Sequence, residues 1–439
     1  MIRQCRRWFA LILGLSVLLV ALPAAAQTPA PSASPGGPSA AGKPLGGRVI
    51  GLSPDGSAIA TLSVDRKKLC VLAAATLAQR VCADLVAHQL DPKSEFISWS
   101  PDGTRLAIAE DAFVTLLDGD LWVMDARTGK LTDVTPDALH GKPFLAVDGA
   151  VTGTNHVDVT PAWSPDGTMI AFSRSTFVDG VPRGNTLAVV PAAGGTVRTV
   201  LQVTSAEPGV LYYGIAWAPD GHTLYYSYMD VSSTNPVSGI YAVGVDGTHR
   251  RKLLGRSPTL GRPAIVQVNA TGRTGLVLYP DALAGFSVRG PIYATLDLRT
   301  GKASPLSPPA GSPQLSWVNL ATFSPDGRSL LLGVDTFQDL HPLYVRDLAT
   351  GRDTRVANVP SATLTDLVHG IAWARDGTVL VATGIDTAVL LRLPTASGTG
   401  EALVRSGSPA GNGAVAAQRG SEPRSSCVMR RTTPCPPGR

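Results

Sequence analysis

Histidine and carboxylate side chains are the residues of this sequence that could hold a metal ion or move a proton. The seven histidines stand at positions 88, 140, 156, 222, 249, 341 and 369. His156 and Asp158 form the best local pair, because alternation places both side chains on one face if this segment is a β-strand. We expect each histidine to be a surface or hydrogen-bonded residue, since the seven fall at different points of the repeat described below. No Cys or His spacing indicates a zinc site, so the sequence predicts no metal and no cofactor.

Motifs for nucleophilic catalysis and phosphate binding are missing from the sequence. No G-x-S-x-G nucleophile elbow occurs anywhere in the 439 residues. No glycine-rich phosphate loop follows a strand and opens a helix. We therefore predict no catalytic residues and a protein that is not an enzyme.

A recurring turn organises the chain and accounts for many of its aspartates. Five-residue segments such as LSPDG, WSPDG and WAPDG recur seven times, 47 to 64 residues apart, which is the size of one blade of a β-propeller. In these turns proline presets φ, aspartate accepts hydrogen bonds from nearby N–H groups, and glycine tolerates a positive φ. We expect a structural role for their central residues, which are Asp55, Asp102, Asp166, Asp220, Thr271, Asp326 and Asp376.

Two further landmarks agree with seven blades. A second turn recurs between later strands, most clearly at 125–130, 297–302 and 347–352. An aromatic residue precedes five of the seven aspartate turns, and we expect it to pack between blades. With 46 Gly, 35 Pro and little helix-forming pattern, the chain is predicted to be all-β, a seven-bladed β-propeller of four-stranded antiparallel blades over residues 48–405.

The aspartate turns, the aliphatic strand after them and the D-x-x-T-G-K hairpins resemble the TolB-type, WD-like (SPDG-repeat) β-propeller family of exported bacterial proteins. The resemblance covers residues 48–405. It implies a propeller fold and is weak for function, because such propellers serve as protein partners, as envelope modules and as gating domains of peptidases. The α/β domain that precedes the propeller of TolB has no counterpart in this sequence.

The regions flanking the predicted propeller have a different composition. Residues 1–26 read as a signal peptide, with Arg3, Arg6 and Arg7 before an apolar stretch and an Ala-rich cleavage site, although an uncleaved anchor is the alternative. Residues 27–47 form a Pro/Ala/Ser/Gly-rich linker, and 406–439 a disordered basic tail. The protein is expected in the periplasm or outside the cell. Residues 27–405 carry 30 basic and 32 acidic side chains, which argues against nucleic acid as a partner.

Four cysteines remain after signal cleavage. Cys70 and Cys82 lie on the two arms of one predicted hairpin, where they could face each other and form a disulfide in an oxidising compartment. Cys427 and Cys435 lie in the tail.

Loop length separates the two faces of the predicted propeller. The aspartate turns and the second turns lie on one face, which we call the turn face. The loops that join strands two and three, and those that join one blade to the next, lie on the other, the loop-rich face. Binding groups concentrate on such loops. Our candidates for contacting a partner are Asp118, Asp120, His156, Asp158, Tyr212, Tyr213, Asp230, Asp335 and His341.

The leading functional hypothesis is a monomeric, exported, non-enzymatic propeller that binds a protein or another cell-envelope component through the loop-rich face. The alternative is a ligand-binding or metal-assisted propeller enzyme that acts on glycans or peptides at the axial mouth. How the ring closes is left open between packing of the first and last blades and an extra strand drawn from either flank.

Overall fold

A computed structural model describes residues 45–110, 117–137, 139–143, 151–204, 210–230, 238–283, 292–312, 316–335, 340–360, 370–382, 388–392 and 401–406. The signal peptide, most of the linker and nearly all of the tail that the sequence predicts lie outside these residues. Within them, no helix has the length and apolar character needed to cross a membrane.

Twenty-eight strands follow one another along the described chain. The first three blades are formed by β1 (Arg48–Leu52), β2 (Ala58–Leu62), β3 (Lys68–Ala73) and β4 (Gln79–Asp84); β5 (Pro92–Trp99), β6 (Arg105–Glu110), β7 (Leu121–Asp125) and β8 (Leu131–Asp133); and β9 (Thr154–Trp163), β10 (Met169–Val178), β11 (Val181–Pro191) and β12 (Arg198–Thr204).

The fourth and fifth blades are β13 (Val210–Trp217), β14 (Thr223–Asp230), β15 (Gly239–Gly244) and β16 (Arg251–Gly255); and β17 (Ala264–Val268), β18 (Thr274–Leu278), β19 (Tyr293–Asp297) and β20 (Ala303–Pro305). The last two are β21 (Trp317–Phe323), β22 (Ser329–Asp335), β23 (Leu340–Asp347) and β24 (Asp353–Pro360); and β25 (Gly370–Trp373), β26 (Thr378–Ala382), β27 (Ala388–Arg392) and β28 (Glu401–Ser406). Two short 3₁₀ helices, Val86–His88 and Pro280–Leu283, complete the described elements.

Each blade is an antiparallel sheet whose four strands pair in chain order. This confirms the prediction of an all-β, seven-bladed propeller of four-stranded blades. Because consecutive strands reverse direction, the turns after the first and third strands fall on one face, and the remaining connections fall on the other.

The aspartate turns have the structural role that the sequence predicts. In blade 2, Ser100 Oγ donates a hydrogen bond of 2.5 Å to Asp102, and Thr104 N–H donates one of 3.0 Å to the same carboxylate. Ser100 Oγ in turn accepts a 2.9 Å hydrogen bond from Arg105 N–H. Gly103 closes the reversal with φ +72°, a conformation that favours glycine.

The irregular turn of blade 5 reaches the same result with another side chain. Asn269 occupies the position of the turn serine, and its Oδ1 accepts hydrogen bonds of 3.1 Å from the N–H groups of both Arg273 and Thr274. Thr271, in place of the usual aspartate, donates to the same oxygen at 3.0 Å. An amide therefore replaces the Ser–Asp pair as acceptor for the turn.

The tryptophans before the turns tie neighbouring blades together, as predicted. The indole Nε1 of Trp99 donates to Gly51 O at 3.2 Å, that of Trp163 to Ser98 O at 3.2 Å, and that of Trp217 to Ala162 O at 2.9 Å. Each acceptor lies on the inner strand of the preceding blade. Each tryptophan thus combines apolar burial between blades with one directed bond across the boundary.

The hydrophobic core is distributed over the boundaries between blades. One cluster joins Leu62 and Leu69 of blade 1 to Leu106 and Ile108 of blade 2. Others pack blade 2 on blade 3, blade 3 on blade 4, and so on around the ring. Each blade is therefore completed by its neighbours.

The first and last blades meet by packing, which answers the question of ring closure for the described residues. Leu52 and Ile59 of blade 1 share one apolar cluster with Leu380 and Leu390 of blade 7. Arg375 N–H also donates a 2.9 Å hydrogen bond to Pro54 O across this boundary. All four strands of both blades come from consecutive segments, so no strand is exchanged between them.

The hairpin of blade 1 carries a disulfide. Cys70 and Cys82 are directly paired in the β3–β4 ladder, and their sulfur atoms are bonded. The bond joins the two outer strands of this blade.

Blade 3 is longer than the sequence suggests. The sequence predicts long loops of the loop-rich face at 136–160 and 174–185, but residues 154–160 and 174–185 are parts of strands β9, β10 and β11. β10 and β11 pair as far as Val178 and Val181, around a turn at Asp179 and Gly180. Backbone pairing of a long hairpin has outweighed the polar and glycine-containing sequence that indicated a loop.

Candidate functional site

The candidate residues all lie toward the loop-rich face. His156, Asp158, Tyr212 and Tyr213 are near the starts of inner strands, Asp230 and Asp335 end second strands, and His341 lies near the start of a third strand. Chain direction places these strand ends on the same side of the ring. The structure does not gather them into one site, since they are divided among blades 2, 3, 4 and 6.

Three segments meet at the boundary between blades 2 and 3. The residues just before β7 form a parallel bridge to β9, in which Gly119 N–H donates to His156 O at 3.2 Å and Asp158 N–H donates to Gly119 O at 3.0 Å. Leu117 also bridges to Pro143 in the connection between the two blades. Backbone hydrogen bonds thus hold the loop of blade 2 against the first strand of blade 3.

This junction assembles carboxyl groups from five short stretches of sequence. Glu110 ends β6, Asp133 ends β8, Asp137 follows in the connection to blade 3, and the remaining three flank the Gly119 bridge. We call the set the acidic cluster; it consists of Glu110, Asp118, Asp120, Asp133, Asp137 and Asp158.

Asp158 is the member of the acidic cluster with a full counter-charge. Its two oxygens accept hydrogen bonds from Arg174 Nε at 2.8 Å and Arg174 Nη2 at 2.6 Å. The Asp158 side chain is 0% exposed and that of Arg174 is 15% exposed. This geometry is the bidentate pairing in which arginine best stabilises a buried carboxylate.

Asp118 and Asp120 are buried with far fewer donors. Asp118 is 1% exposed; its Oδ2 accepts a 2.6 Å hydrogen bond from His156 N–H, whereas its Oδ1 accepts none from the described residues. Asp120 is 0% exposed, and neither of its oxygens accepts a hydrogen bond from that part of the chain. Buried polar atoms are rarely left in this condition, so these carboxylates point to a ligand or to retained protons.

His140 is the nearest basic ring to the unpaired carboxyl groups. Its Nδ1 lies 3.4 Å from Glu110 Oε2 and 3.5 Å from Asp120 Oδ2, and its Nε2 is 3.0 Å from the carbonyl oxygen of His88. The ring also packs against Trp122, with centroids 5.6 Å apart. His140 is thereby held between two buried acids with one face covered.

The surroundings of Glu110, Asp118 and Asp120 favour their neutral forms. Burial, together with the charges of Asp118 and Asp133, raises the pKa of Glu110 to about 8. Burial and the charge of Asp137 raise the pKa of Asp118 to about 7. The pKa of Asp120 is raised strongly by burial and by Asp133, Asp137 and Asp158. Desolvation and like charge act in the same direction here.

His156 is not suited to supply a positive charge to this group. Burial lowers its pKa, and the nearby Arg174 guanidinium lowers it further. Its Nδ1 lies 3.3 Å from Thr176 Oγ1. A neutral His156 that braces Asp118 through its backbone N–H is the role that the geometry supports.

Three carboxylates of the acidic cluster converge closely enough to share one ion. One oxygen each of Asp118, Asp120 and Asp137 lies within 4.8 Å of the other two. Asp137 is the least buried of the three, and Leu139 N–H fixes one of its oxygens with a 2.6 Å hydrogen bond. Oxygen ligands at this spacing suit a hard divalent cation.

The remaining candidates occupy blades 4 and 6. Tyr212 and Tyr213 pair with Tyr228 and Ser227 in the β13–β14 ladder, so they belong to a strand and not to the loop in which the sequence analysis placed them. Asp230 ends β14, and Asp335, which is 3% exposed, ends β22. His341 pairs with Val359.

Sequence reasoning found Asp118, Asp120, His156 and Asp158 as candidates, whereas it did not single out Glu110, Asp133 or Asp137. It considered His140 only as one of seven surface or hydrogen-bonded histidines. The available signal was the density of acids around the blade 2 to blade 3 connection, where DGD at 118–120 precedes Asp133 and Asp137.

Neither the models of known protein families nor the curated proteins include a match for this chain. Solved structures do match it. A puromycin hydrolase has 15% identity and a TM-score of 0.52, over 83% of this chain and 54% of that one. An oligogalacturonate lyase in complex with manganese has 15% identity and a TM-score of 0.49, over 81% and 99%. A putative TolB from Agrobacterium tumefaciens has 17% identity and a TM-score of 0.38, over 61% and 81%. Likeness at these identities shows the fold alone.

Proposed function

We propose that this protein is an exported β-propeller that binds a protein or another cell-envelope component through its loop-rich face, without catalysing a reaction. The observation that carries the proposal is the difference between the two faces. On the turn face the polar groups of the turns hydrogen-bond to one another, as in Ser100 and Asp102. The loop-rich face holds the extended hairpin of blade 3 and the acidic cluster.

In this proposal the buried acids position the segments that touch the partner and do not touch it themselves. Asp118, Asp120 and Asp158 are at most 1% exposed, so a large partner would touch the segments that they position. Those segments are the Gly119 bridge, the start of β9 and the hairpin tip, where Val181 is 40% exposed. Tyr212, Tyr213, Asp230 and His341 extend the proposed surface to blades 4 and 6.

Affinity capture from a cell-envelope extract tests the proposal with matched triple variants. The loop-face variant combines Tyr213→Ala, Asp230→Ala and His341→Ala. The turn-face control combines Arg127→Ala, Arg299→Ala and Arg352→Ala, three exposed residues of equivalent turns. We expect the loop-face variant to retain less than about a tenth of the captured partner, since contact residues at an interface centre cost 1 kcal/mol or more each. Equal capture by both folded variants would contradict the proposal.

Export is a second part of the proposal and has its own test. The basic start, apolar stretch and Ala-rich site of residues 1–26 support it. The mature protein recovered from its natural compartment should begin at Gln27. A chain that retains Met1 would contradict cleavage.

An enzyme is the second candidate, and the raised pKa values of Glu110 and Asp118 favour it. Acids that hold a proton near neutral pH are suited to general acid catalysis. The site would lie at the boundary of blades 2 and 3. Assays on glycan and peptide substrates, with Glu110→Gln as the matched variant, decide this: turnover that the variant lowers about a hundredfold or more would replace the binding proposal.

A further inference from the structure

We propose that Asp118, Asp120 and Asp137, together with the amide oxygen of Asn155, form a binding site for one divalent cation of the calcium class. The inference is independent of the partner proposed above. A cation here would join the loop before β7, the connection after β8 and the start of β9, and so link blades 2 and 3.

The first support is the convergence of ligands from separate parts of the chain. The three carboxylate oxygens that lie within 4.8 Å of one another come from two different connections. Ca²⁺ binds oxygens at about 2.3 to 2.6 Å, so a single ion between them can reach all three. The positions are fixed by backbone bonds, including Asp118 N–H to Lys142 O at 2.7 Å and Leu139 N–H to Asp137 at 2.6 Å.

The second support is a set of buried oxygens without donors. Within the described residues, no N–H or hydroxyl group donates a hydrogen bond to Asp118 Oδ1, either oxygen of Asp120, Asp137 Oδ2 or Asn155 Oδ1, and the side chain of Asp120 hydrogen-bonds only to the carboxyl group of Asp133. Asn155 lies outside the acidic cluster and is 1% exposed, and its side chain forms a hydrogen bond with Asp118. A carboxyl group can retain a proton and donate it to a neighbouring acid, but an amide oxygen can only accept. Protons shared among the acids therefore do not explain why Asn155 Oδ1 lacks a donor.

The third support is the balance of charge. Arg174 donates hydrogen bonds to Asp158 and attracts Asp120 and Asp137 only through space, while His140 Nδ1 lies at ion-pair distance from Glu110 (3.4 Å) and Asp120 (3.5 Å), so these two basic groups face six carboxyl groups. Carboxylates that are buried without a counter-charge are strongly unfavourable. A divalent cation supplies the charge where the three oxygens converge.

The donor set selects the class of ion. All four groups offer oxygen, which suits Ca²⁺, Mg²⁺ or Mn²⁺ and disfavours zinc and copper. Mg²⁺ keeps several waters and commonly uses one or two carboxylates, whereas Ca²⁺ accepts a cage of carboxylates and amide oxygens. Two buried carboxylates, the less buried Asp137 and an amide oxygen therefore favour Ca²⁺.

Titration calorimetry on the purified full chain, after treatment with EDTA and removal of the chelator, tests the site. We expect one equivalent of Ca²⁺ to bind, and Tm to rise by about 4 °C at a hundredfold excess over Kd. Asp120→Asn and Asp137→Asn should each weaken Ca²⁺ binding at least tenfold. Asp166→Asn, which alters an aspartate turn of blade 3 on the opposite face, should bind as the unaltered chain does.

The outcomes that would overturn the proposal are distinct. Absence of heat and of any Tm shift with millimolar Ca²⁺ would show that the acids retain protons instead. Undiminished binding by Asp137→Asn would place the ion elsewhere, and this less buried position keeps the test valid if Asp120→Asn fails to fold. Binding of Mn²⁺ or Mg²⁺ without Ca²⁺ would overturn the assignment of ion class.

Discussion

Aspartates on the two faces of this propeller have opposite surroundings. On the turn face, Asp326 accepts hydrogen bonds from Ser324 Oγ at 2.5 Å and from Arg328 N–H at 3.0 Å, and these bonds lower its pKa. On the loop-rich face, Asp120 is fully buried without such donors, and its pKa is raised. An aspartate therefore stabilises the fold at the first position and destabilises it at the second, because hydrogen-bond donors and solvent near the carboxyl group decide whether its ionised or its protonated form is favoured.

Asp158 is buried like Asp120, but like the turn aspartates it has partners, in its case the guanidinium of Arg174. Removing the Arg174 charge should have the largest effect on the free energy of unfolding among the variants considered. We expect Arg174→Met to lower the free energy of unfolding by about 3–5 kcal/mol, because an uncompensated buried carboxylate remains. Urea denaturation measures the loss. The double variant Asp158→Leu and Arg174→Met is the control and should recover most of it; a double variant as unstable as the single one would show that packing of the arginine stem is responsible.

Neutralising Asp120 should have the opposite sign. In chelator-treated protein we expect Asp120→Asn to raise the free energy of unfolding by about 1–3 kcal/mol, because the folded chain then has neither to bury a charge nor to take up a proton at this position. With Ca²⁺ in excess the sign should reverse, since the variant loses a ligand. Thermal melts in EDTA and in Ca²⁺ measure both signs. A variant that is less stable in both conditions would contradict the first expectation.

Truncating a turn aspartate should destabilise modestly. We expect Asp326→Ala to cost about 1 kcal/mol, because the serine hydroxyl and a backbone N–H lose an acceptor in a partly solvated turn. The measurement is again urea denaturation, with Asp326→Asn as the variant that keeps an acceptor and should lose less. Equal losses would mean that charge, and not hydrogen bonding, matters there.

Acid should weaken the turn face through small contributions from each turn. The pKa of Asp166 is lowered by hydrogen bonds from Ser164 Oγ and Thr168 N–H, and that of Asp326 by the equivalent bonds. A carboxyl group whose pKa is lower in the folded chain stabilises it above the unfolded value of about 4 and loses this contribution as pH falls through the folded value. The contribution of these turns to stability should therefore fall from pH 5 to pH 2, whereas Glu110, Asp118 and Asp120, whose pKa values are raised, contribute with the opposite sign as pH falls through about 4. Compared with the unaltered chain, a variant with Asp166 and Asp326 both changed to Asn should lose less stability over this range, and an identical pH dependence of the two would rule out a contribution from these turns.

The fold was predictable because each blade repeats local rules. Turn chemistry at Pro101, Asp102 and Gly103, and the aromatic residue before it, depend on neighbours a few residues away. The contacts of Trp99 and Trp163 with the preceding blade confirm the interpretation of those aromatics as packing residues. Because the pattern occurs seven times, the regular copies allow the irregular turn at Thr271 to be recognised as part of a blade.

The acidic cluster was predictable only in part, because it depends on contacts that the repeat does not encode. Asp118 and Asp120 were recognised as loop acids, yet their burial follows from the Gly119 bridge to β9, which nothing in the alternation of residues indicates. Asp137 approaches Asp118 and Asp120 from the connection between blades 2 and 3, which the repeat does not encode. Our search for metal ligands considered the spacing of histidines and cysteines, whereas the convergence found here uses carboxylates.

Ring closure without an exchanged strand has a consequence for how such a chain can change. Every blade corresponds to one uninterrupted stretch, and the first strands of successive blades begin 44 to 62 residues apart, so duplication or deletion of a single gene segment adds or removes a whole sheet and cuts none. Likewise, joining the ends and reopening the chain at another boundary between blades would leave all twenty-eight strands with their present partners. Whole blades can therefore be gained or lost as units during evolution. The boundary of blades 2 and 3 is the exception, because the acidic cluster there is built from residues of both blades and of the connection between them.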